Sequence, residues 1–311
     1  MLEKTEFYIR STNGRNRLHV IQWQPVEVVR AILQISHGMG EHTERYDEFA
    51  TFMARNGILV IGNDHLGHGG SVASDDCFGY FAEKNGNRTV IADMRELHRR
   101  TQEACPGVPF FLLGHSMGSF LARQYICMYG QFLDGAIISG TAWHPTAEVT
   151  SGALMCRGMA AFKGWKHQSL LMTAVSMGSF NKKFEPARTK VDWLTRDEKI
   201  VDAYRHDTRT HHMFTLNAYY NMFQGLKYLT VRSNLEKMPK ELPLLFIAGE
   251  MDPVGNFGTG VKKVFAQFKS LGMKDIQCKL YPNDRHEVLN ELDRSQVYQD
   301  VWDWISAHMG K

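Results

Sequence analysis

The stretch Pro109-Phe-Phe-Leu-Leu-Gly-His-Ser-Met-Gly-Ser119 decides the fold. Its first five residues form an uninterrupted apolar run, which is typical of a fully buried strand in a parallel sheet. Gly114-His-Ser-Met-Gly118 then forms a G-x-S-x-G pattern, and apolar residues at helical spacing follow from Phe120. A strand, a sharp turn and a helix in this order lift the central serine hydroxyl above the sheet. Because that serine begins a helix, free N–H groups favour negative charge beside it.

A second, similar stretch shows how much this context matters. Ala174-Val-Ser-Met-Gly-Ser179 nearly repeats the core of the pattern. It has alanine in place of the first glycine, and no strand-like run precedes it. The sequence therefore predicts that Ser116 is a nucleophile and that Ser176 is structural.

Length and composition favour one large domain. The chain has 311 residues, of which 43% are hydrophobic and 22% are charged, with both signs mixed. This length is ordinary for an α/β domain that carries an insertion, and the composition argues against disorder. The net charge of +3 comes without a long Lys/Arg run, which argues against nucleic acid as the main partner. No run of about 20 apolar residues is present that would span a bilayer.

The cysteines and the N-terminal residues predict the cellular setting. Five cysteines are scattered along the chain without a C-x-x-C pair. This pattern is typical of buried free thiols in a reducing compartment. The first residues also lack the apolar core of a signal peptide, so we expect a cytoplasmic protein.

Strand-like and helical runs alternate along most of the chain. The sequence predicts a hairpin around Asn13-Gly14 and six further strands, giving 5–10, 18–24, 31–35, 58–61, 109–113, 133–139, 243–249 and 276–281. The alternation implies an α/β fold with a mostly parallel, eight-stranded sheet and helices on both faces. Ligands collect at the C-terminal ends of such strands, where the sequence places the loop from His37, together with Asp64, Ser116 and Gly140.

The alternation stops between residues 141 and 239, where no strand-like run is found. We therefore predict a core formed by residues 1–140 and 240–311, and a helical cap, or lid, formed by residues 141–239. An insertion between these strands emerges at the edge that carries the serine. Most of its Met and aromatic residues are expected to form a small helical core, and a few to line an apolar pocket. These apolar residues are Leu154, Met155, Met159, Phe162, Trp165, Leu170, Leu171, Met172, Phe214, Leu216, Tyr219, Met222 and Phe223.

A serine hydroxyl needs a base to accept its proton and an acid to orient that base. In sheets of this kind the chain order is serine, acid, histidine. His286 directly follows the last predicted strand, whereas the other histidines after Ser116 lie in the insertion or in the terminal helix. Asp252 follows the preceding strand and is the predicted acid, with Glu250 and Asp284 as weaker alternatives. The predicted catalytic residues are therefore Ser116, Asp252 and His286.

The oxyanion of an acyl-transfer reaction needs two backbone donors. The N–H of Met117 follows the nucleophile and is the first predicted donor. The second is expected from the loop 37–40, after the strand at 31–35, and we choose the N–H of Met39.

A metal site is the competing interpretation of the polar loops. His37, His42, Asp64, His65 and His68 lie on neighbouring loops and are potential ligands. However, no H-E-x-x-H or comparable spacing is present, so we expect no metal. The run Asp64-x-x-Gly67-x-Gly69 is more typical of a turn that bonds to itself.

Five motifs identify a family resemblance. They are His37-Gly-Met-Gly-Glu-His42 with Arg45-Tyr46, Asp64-His-Leu-Gly-His-Gly69, Gly114-His-Ser-Met-Gly118, Asp252-Pro-Val254 and His286-Glu287. Together they resemble the monoacylglycerol lipase and lysophospholipase branch of the α/β-hydrolases, often described as serine aminopeptidase-like. The resemblance covers the chain from about residue 5 to 308. It implies Ser116 as nucleophile, Asp252 and His286 as its relay, and Met39 and Met117 as oxyanion donors.

We therefore expect a serine hydrolase that cleaves carboxylic esters through an acyl-enzyme, with no cofactor. The expected substrate is a small ester or a lipid, such as a monoacylglycerol or lysophospholipid. A lipid would bring the cap to a membrane surface, although no basic amphipathic helix stands out.

Two alternatives stay open from the sequence alone. A serine aminopeptidase of the proline iminopeptidase type would need acids in the cap to hold the substrate ammonium. The acids available there are Glu148, Glu185, Asp192, Asp197, Glu198, Asp202 and Asp207. A non-catalytic ligand-binding protein on the same fold is less well supported, because all three triad residues are present.

Overall fold

The computed structural model describes residues 3–310. Eight strands form one sheet in the order β1-β2-β4-β3-β5-β6-β7-β8. Their bounds are β1 Glu3–Arg10, β2 Arg17–Gln24, β3 Ala31–Ser36, β4 Ile58–Asn63, β5 Phe110–His115, β6 Gly135–Ser139, β7 Leu244–Gly249 and β8 Ile276–Tyr281. All eight predicted strands are therefore present, with ends that differ by one or two residues.

The pairing of the strands confirms a mostly parallel sheet. β1 and β2 form the predicted antiparallel hairpin, and β2 pairs antiparallel with β4. Every other neighbouring pair is parallel. The five strands from β3 to β7 are buried at every residue, as expected for strands that are covered on both faces.

Ten α-helices accompany the sheet within the described residues. They are α1 Asp47–Arg55, α2 Gly86–Ala104, α3 Met117–Tyr129, α4 Thr146–Lys163, α5 Leu170–Met177, α6 Glu198–His206, α7 Leu216–Thr230, α8 Arg232–Leu235, α9 Thr259–Ser270 and α10 Arg294–His308. Residues from α2, α3 and α9 share one apolar cluster, whereas residues from α1 and α10 share the other. The helices thus cover both faces of the sheet.

The side chains of the central strand β5 contribute alternately to the two apolar clusters. Phe110 and Leu112 belong to one cluster, and Phe111 and Leu113 to the other. This division follows from the two-residue period of a strand, which points successive side chains to opposite faces. An apolar residue is therefore needed at every position, as the sequence has it.

The order of the strands reverses between β3 and β5, and this reversal positions the site. From β3 the chain passes to β4 on one side, whereas β5 lies on the other side of β3. Ser36 at the end of β3 is in register with Gly114 near the end of β5. The loops that leave these two strands therefore diverge and leave a crevice, which is where ligands bind in open α/β sheets.

The segment 141–239, between β6 and β7, contains α4 to α8. Its only strand-like pairing among the described residues is an isolated bridge between Gln168 and Thr215. α7 packs against α4 within the segment and also against α2 and α3 of the remaining chain. The segment is thus helical and packs against helices that cover the sheet. Its division from the core at residues 140 and 239 stays a prediction.

The predicted helical core of this segment is only partly correct. Met172, Phe214, Leu216 and Tyr219 are buried, but Leu154, Phe162, Leu170 and Leu171 are largely exposed. Helical spacing predicts which residues share a face, but not whether anything covers that face. Phe162 is the extreme case, with 92% of its surface exposed.

Two smaller expectations have clear outcomes. Ser176 lies inside α5 rather than in a strand-to-helix turn, as the missing strand predicted. All five cysteines are free, but only Cys127 and Cys156 are buried, whereas the other three are half-buried.

No helix of residues 3–310 combines the length and the apolar content needed to cross a bilayer.

Candidate active site

Ser116 occupies a strained turn between β5 and α3. Its backbone has φ 53° and ψ −119°, a conformation that a non-glycine residue rarely adopts. The turn is tight because the two flanking glycines allow close backbone approach. A Cβ atom on Gly118 would lie 1.9 Å from the Ser36 carbonyl oxygen, and one on Gly114 would lie 2.3 Å from the Gly118 carbonyl oxygen. Ser116 therefore lies at the N-terminus of α3, in the predicted crevice.

His286 and Asp252 form a buried pair on the loops after β8 and β7. His286 Nδ1 lies 3.0 Å from Asp252 Oδ1, and the two residues are 2% and 0% exposed. The same Oδ1 accepts a hydrogen bond from the Val254 N–H at 2.8 Å, which fixes the carboxylate. Asp252 Oδ2 is buried and has no partner among the described residues. The structure thus brings together the predicted base and acid.

Among residues 3–310, the carboxylate that pairs with His286 is Asp252, and neither of the two weaker candidates forms a hydrogen bond or ion pair with it. Glu250 is exposed at the end of β7. Asp284 is fully buried but pairs with the Arg196 guanidinium, which also bonds Glu291 at 3.0 Å. Burial and the nearby Glu291 charge raise the pKa of Asp284 to about 7. Asp252 is therefore the carboxylate that orients His286.

His286 lies beside the serine turn. Its ring centroid is 4.7 Å from that of His115, the residue before Ser116. A Cβ atom on Gly140 would lie 3.0 Å from His286 Cε1, and the Ser116 N–H donates to the Ser139 carbonyl at 3.0 Å. Within the described residues, no hydrogen bond joins Ser116 Oγ to His286. Such bonds are often long in proteins without substrate and tighten in the reacting complex.

The loop after β3 reaches the serine as predicted. A Cβ atom on Gly38 would lie 3.2 Å from Ser116 Cβ. The Met39 N–H has no acceptor within residues 3–310. Met117 is the first residue of α3, where backbone N–H groups have no partner inside the helix. The N–H groups of Met39 and Met117 are thus without an acceptor among the described residues, and their role as oxyanion donors stays a prediction.

A buried ion-pair network, which sequence reasoning missed, ties these loops together. Arg45 donates to both carboxylate oxygens of Glu287 at 2.7 and 2.6 Å, and to Glu41 at 2.8 Å. Glu41 also accepts from the Gly38 N–H at 2.5 Å and from the Tyr46 hydroxyl at 2.9 Å. The network therefore connects the loop of Gly38 with the residue that follows His286.

The opposite charges of this network stabilise one another. Both carboxylates are buried, at 3% exposure for Glu41 and 4% for Glu287. Burial alone would raise the pKa of Glu287, but the charge and hydrogen bonds of Arg45 keep it well below its ordinary range. Arg45 also lies over the ring of Tyr204, 4.9 Å from its centroid. The motif that holds Glu41, Arg45 and Tyr46 was visible in the sequence, but nothing local pointed to Glu287 as their partner.

The residues of the alternative metal site are bonded to the protein itself. His37 Nδ1 donates to the Gly38 carbonyl, and its Nε2 accepts the His65 N–H at 2.9 Å. Burial lowers the pKa of His37 to about 4 and that of His68 to about 3. Asp64 accepts from the Thr43 and Gly70 N–H groups, each at 2.8 Å, which is the predicted self-bonded turn. These groups hold the loops in place.

Only one cluster of potential metal ligands is found within residues 3–310. Its members are Asp284, Glu291 and Asp293. The Arg196 guanidinium already bonds all three carboxylates. A guanidinium thus supplies the positive charge at this cluster.

The helical segment covers the site through main-chain contacts. The His286 N–H and the Glu287 N–H donate to the carbonyls of Trp193 and Leu194, at 3.4 and 2.8 Å. The Trp193 ring centroid is 5.2 Å from that of His286. On the other side, the His211 N–H donates to the Gly40 carbonyl at 2.9 Å. Residues of the 141–239 segment thus flank both the base and the loop of the oxyanion donors.

Comparison with known proteins gives a consistent result. A family model described as Hydrolase_4, "Serine aminopeptidase, S33", matches residues 27–293. The chain is 26% identical to the monoacylglycerol lipase of Mycolicibacterium smegmatis, over 92% of each protein. It is 28% identical to the monoglyceride lipase of Rattus norvegicus, over 91% of this chain and 85% of that protein.

Solved structures give the same fold. A thermostable carboxyl esterase from Bacillus coagulans, solved in complex with glycerol, superposes with a TM-score of 0.91 at 28% identity, over 99% of this chain and 100% of that one. A monoglyceride lipase from Saccharomyces cerevisiae, at 20% identity and a TM-score of 0.77, covers 99% and 96% and supports the fold alone. The chain therefore has the α/β-hydrolase fold and belongs to the Hydrolase_4 (serine aminopeptidase, S33) family.

Proposed function

We propose that Ser116, His286 and Asp252 form the catalytic triad of a monoglyceride lipase-like ester hydrolase. The chain is a serine hydrolase that acts on carboxylic esters, in agreement with the lipases and the esterase that it resembles. The observation that carries the role of each residue is the buried His286–Asp252 pair beside a strained serine at a helix N-terminus. Backbone strain of this kind is concentrated at functional sites, which argues against a non-catalytic protein.

The proposed reaction proceeds in two halves. His286 Nε2 accepts the proton of Ser116 Oγ while that oxygen attacks the ester carbonyl carbon. The tetrahedral intermediate then expels the alcohol, which takes the proton from His286, and leaves an acyl group on Ser116. Water, deprotonated by His286, attacks the acyl carbonyl carbon of this acyl-enzyme. The second tetrahedral intermediate then expels Ser116 Oγ, which takes the proton back from His286, and the acid is released. Asp252 holds the ring through Nδ1 and stabilises its charged form.

Met39 and Met117 are proposed to stabilise the intermediates. Met117 directly follows Ser116, and Met39 belongs to the loop whose Gly38 approaches the serine. This supports donation by their backbone N–H groups to the carbonyl oxygen of the substrate as it becomes negative. The Gly38 N–H is already bonded to Glu41. Glu41 therefore holds the loop, while the neighbouring N–H of Met39 remains free to donate.

We propose a monoacylglycerol or lysophospholipid as the substrate, with the 141–239 segment as the cap that selects it. The relatives named as monoacylglycerol lipases support this class. An aminopeptidase would need a buried carboxylate in the cap for the ammonium, but neither the seven acids named above nor Glu236 is buried. Asp202 and Asp207, for example, pair with Arg188 and Arg209.

The five free cysteines support the expected cytoplasmic setting.

A series of p-nitrophenyl esters from acetate to palmitate tests this proposal. We expect kcat/KM to rise from acetate to medium or long acyl chains, because each buried CH₂ adds about 0.8 kcal/mol of binding. Hydrolysis of a monoacylglycerol should follow the same preference. A maximum at acetate, or faster cleavage of aminoacyl arylamides than of any ester, would contradict it.

The pH dependence of kcat/KM tests the role of His286. Burial opposes its charged form, but the charge and hydrogen bond of Asp252 outweigh burial and raise the pKa of His286 above 6.5. The base must be neutral to accept the serine proton, so activity rises with pH until this pKa is passed. We therefore expect the acid limb to bend above pH 6.5. Glu250→Gln should leave the bend unchanged, and a bend at or below the ordinary value would contradict the assignment.

The exposed apolar residues of the cap are proposed to touch a lipid surface. This apolar cap face consists of Leu154 and Phe162 on α4 and Leu170, Leu171 and Val175 on α5, each at least 57% exposed. Exposed apolar patches mark interaction sites, and a lipid substrate supplies an apolar partner. The exposed Arg157, Lys163 and Lys166 nearby favour anionic headgroups.

Binding to vesicles tests the apolar cap face. In flotation with phosphatidylcholine–phosphatidylserine vesicles, Phe162→Ser with Leu171→Ser should lower the bound fraction several-fold, because two apolar anchors are lost. Val28→Ser is the matched control, since Val28 is 82% exposed in the loop between β2 and β3, at the opposite edge of the sheet. Equal losses for both proteins would show that the cap has no special role.

A further inference from the structure

Arg123 is a buried cation that no carboxylate neutralises. It lies in α3, about two turns beyond Ser116, and is only 3% exposed. Its Nη1 donates to the Thr141 hydroxyl at 3.3 Å and to the Ala142 carbonyl at 3.0 Å. Its Nε is buried without an acceptor, and Arg123 forms no ion pair within residues 3–310. The guanidinium is therefore left with bonding capacity and an uncompensated charge.

The Arg123 guanidinium remains positively charged despite its burial, and its surroundings supply no opposite charge within residues 3–310. Burial lowers the pKa of Arg123 to about 10, so the group is still positive at neutral pH. Cys127 lies one turn further along α3, where burial raises its pKa to about 12 and keeps it a neutral thiol. The ring of Phe268, 5.8 Å away, completes the surroundings. A desolvated charge is costly unless an opposite charge accompanies it.

A cavity of about 110 Å³ lies beside Arg123, between α3, α7, α9 and the beginning of the 141–239 segment. One water needs only about 10–15 Å³, so the cavity has room for a small molecule. The polar part of its wall includes His144, Thr230 and Gln267 in addition to Arg123. Another part is apolar, with Leu226 and Leu229. Ser116, Asp252 and His286 are not part of this wall, so the cavity is separate from the triad.

We propose that this cavity binds a small carboxylate with a short apolar tail. A guanidinium presents its N–H groups in a planar fork that matches a carboxylate. The hydroxyl and amide of the polar wall supply further hydrogen-bond donors, and the two leucines accept a short alkyl chain. His144 Nδ1 already bonds Glu148 at 2.9 Å, so only its Nε2 is left for the ligand. The bound carboxylate would neutralise the charge of Arg123. Arg123 also bonds Thr141 and Ala142, so this charge lies where the helical segment leaves the sheet.

Ligand-dependent thermal stability tests this proposal, with sodium butyrate as the probe and chloride at equal ionic strength as the reference. A ligand that binds only the folded chain raises Tm along a saturable curve. We expect butyrate to raise the Tm of the wild type by about 2–5 °C at saturation. Calorimetric titration should give one site per chain. The readout does not depend on hydrolysis, so it is independent of the proposed function.

Two variants assign the effect to the cavity. Arg123→Met removes the charge and should abolish the butyrate-dependent rise. Gln267→Glu keeps nearly the same shape but places a carboxylate in the wall, so it should raise Tm without ligand and also abolish the rise. Arg99→Met removes an exposed arginine from α2 and should leave the rise unchanged. Gln267→Glu keeps the test decisive even if Arg123→Met fails to fold.

Three results would overturn the proposal. One is a wild-type Tm that butyrate does not change. Another is a rise that persists in both Arg123→Met and Gln267→Glu, which would place butyrate elsewhere, for example at the triad. The third is a rise with inorganic phosphate but not with butyrate, because the apolar part of the wall would then be irrelevant.

Discussion

Replacing Ser116 with alanine is expected to lower kcat/KM for the best ester by about 10⁴-fold or more. In the proposed mechanism the hydroxyl oxygen forms the acyl-enzyme, and alanine leaves no group to replace it. Any remaining activity would come from substrate binding and the oxyanion donors alone. The substitution removes one oxygen from a half-buried residue and leaves its Cβ in place, so the Tm should stay nearly constant. The measurement is steady-state hydrolysis together with a thermal denaturation curve.

Ser176→Ala is the matched control for this experiment, because Ser176 stands in almost the same local sequence. It lies within α5, and its hydroxyl has no place in the proposed mechanism. Its kcat/KM should stay within twofold of the wild-type value. Full activity of Ser116→Ala would refute the nucleophile, whereas an equal loss in both variants would indicate a general effect on the fold.

Replacing Arg45 with methionine is expected to lower the free energy of unfolding by about 3–5 kcal/mol. Methionine keeps much of the side-chain volume but leaves Glu41 and Glu287 buried without their cation. An isolated buried carboxylate is strongly disfavoured, so these groups must take up protons or the loops must open. Urea denaturation at neutral pH measures the change.

Arg99→Met provides the comparison for this second experiment. Arg99 also bonds two carboxylates, those of Glu96 and Glu103, but it is exposed on α2. Water screens such pairs, so the free energy of unfolding should fall far less than in Arg45→Met. Similar losses for both variants would mean that burial of the Glu41–Arg45–Glu287 network adds nothing to stability.

The residues of the proposed triad could be chosen from the sequence because each of them follows a recognisable strand. Ser116 follows an apolar run that could only be a buried strand, and His286 follows the last strand of the chain. The order serine, acid, histidine then left Asp252 as the best acid. Local patterns were sufficient here because the C-terminal ends of parallel strands meet at one edge of the sheet.

The ion-pair network was not accessible in the same way. Arg45 and Glu287 are 242 positions apart, and their contact depends on how two loops converge above the sheet. A charged residue that follows a loop motif is most often solvated, so nothing in the sequence marks these groups as buried. Similarly, the period of α4 and α5 could not show that their apolar residues face outward. Both features are properties of the assembled tertiary structure.

The contacts between the helical segment and His286 affect how such a protein can diversify. The two hydrogen bonds that reach the loop of His286 come from the carbonyls of Trp193 and Leu194, which are main-chain atoms. Side chains at these positions can therefore be exchanged while the bonds persist. Gly114 and Gly118, by contrast, permit no side chain without displacing backbone. Side-chain changes at positions 193 and 194 are therefore compatible with the same backbone contacts to the loop of His286, whereas the serine turn tolerates no side chain at its two glycines.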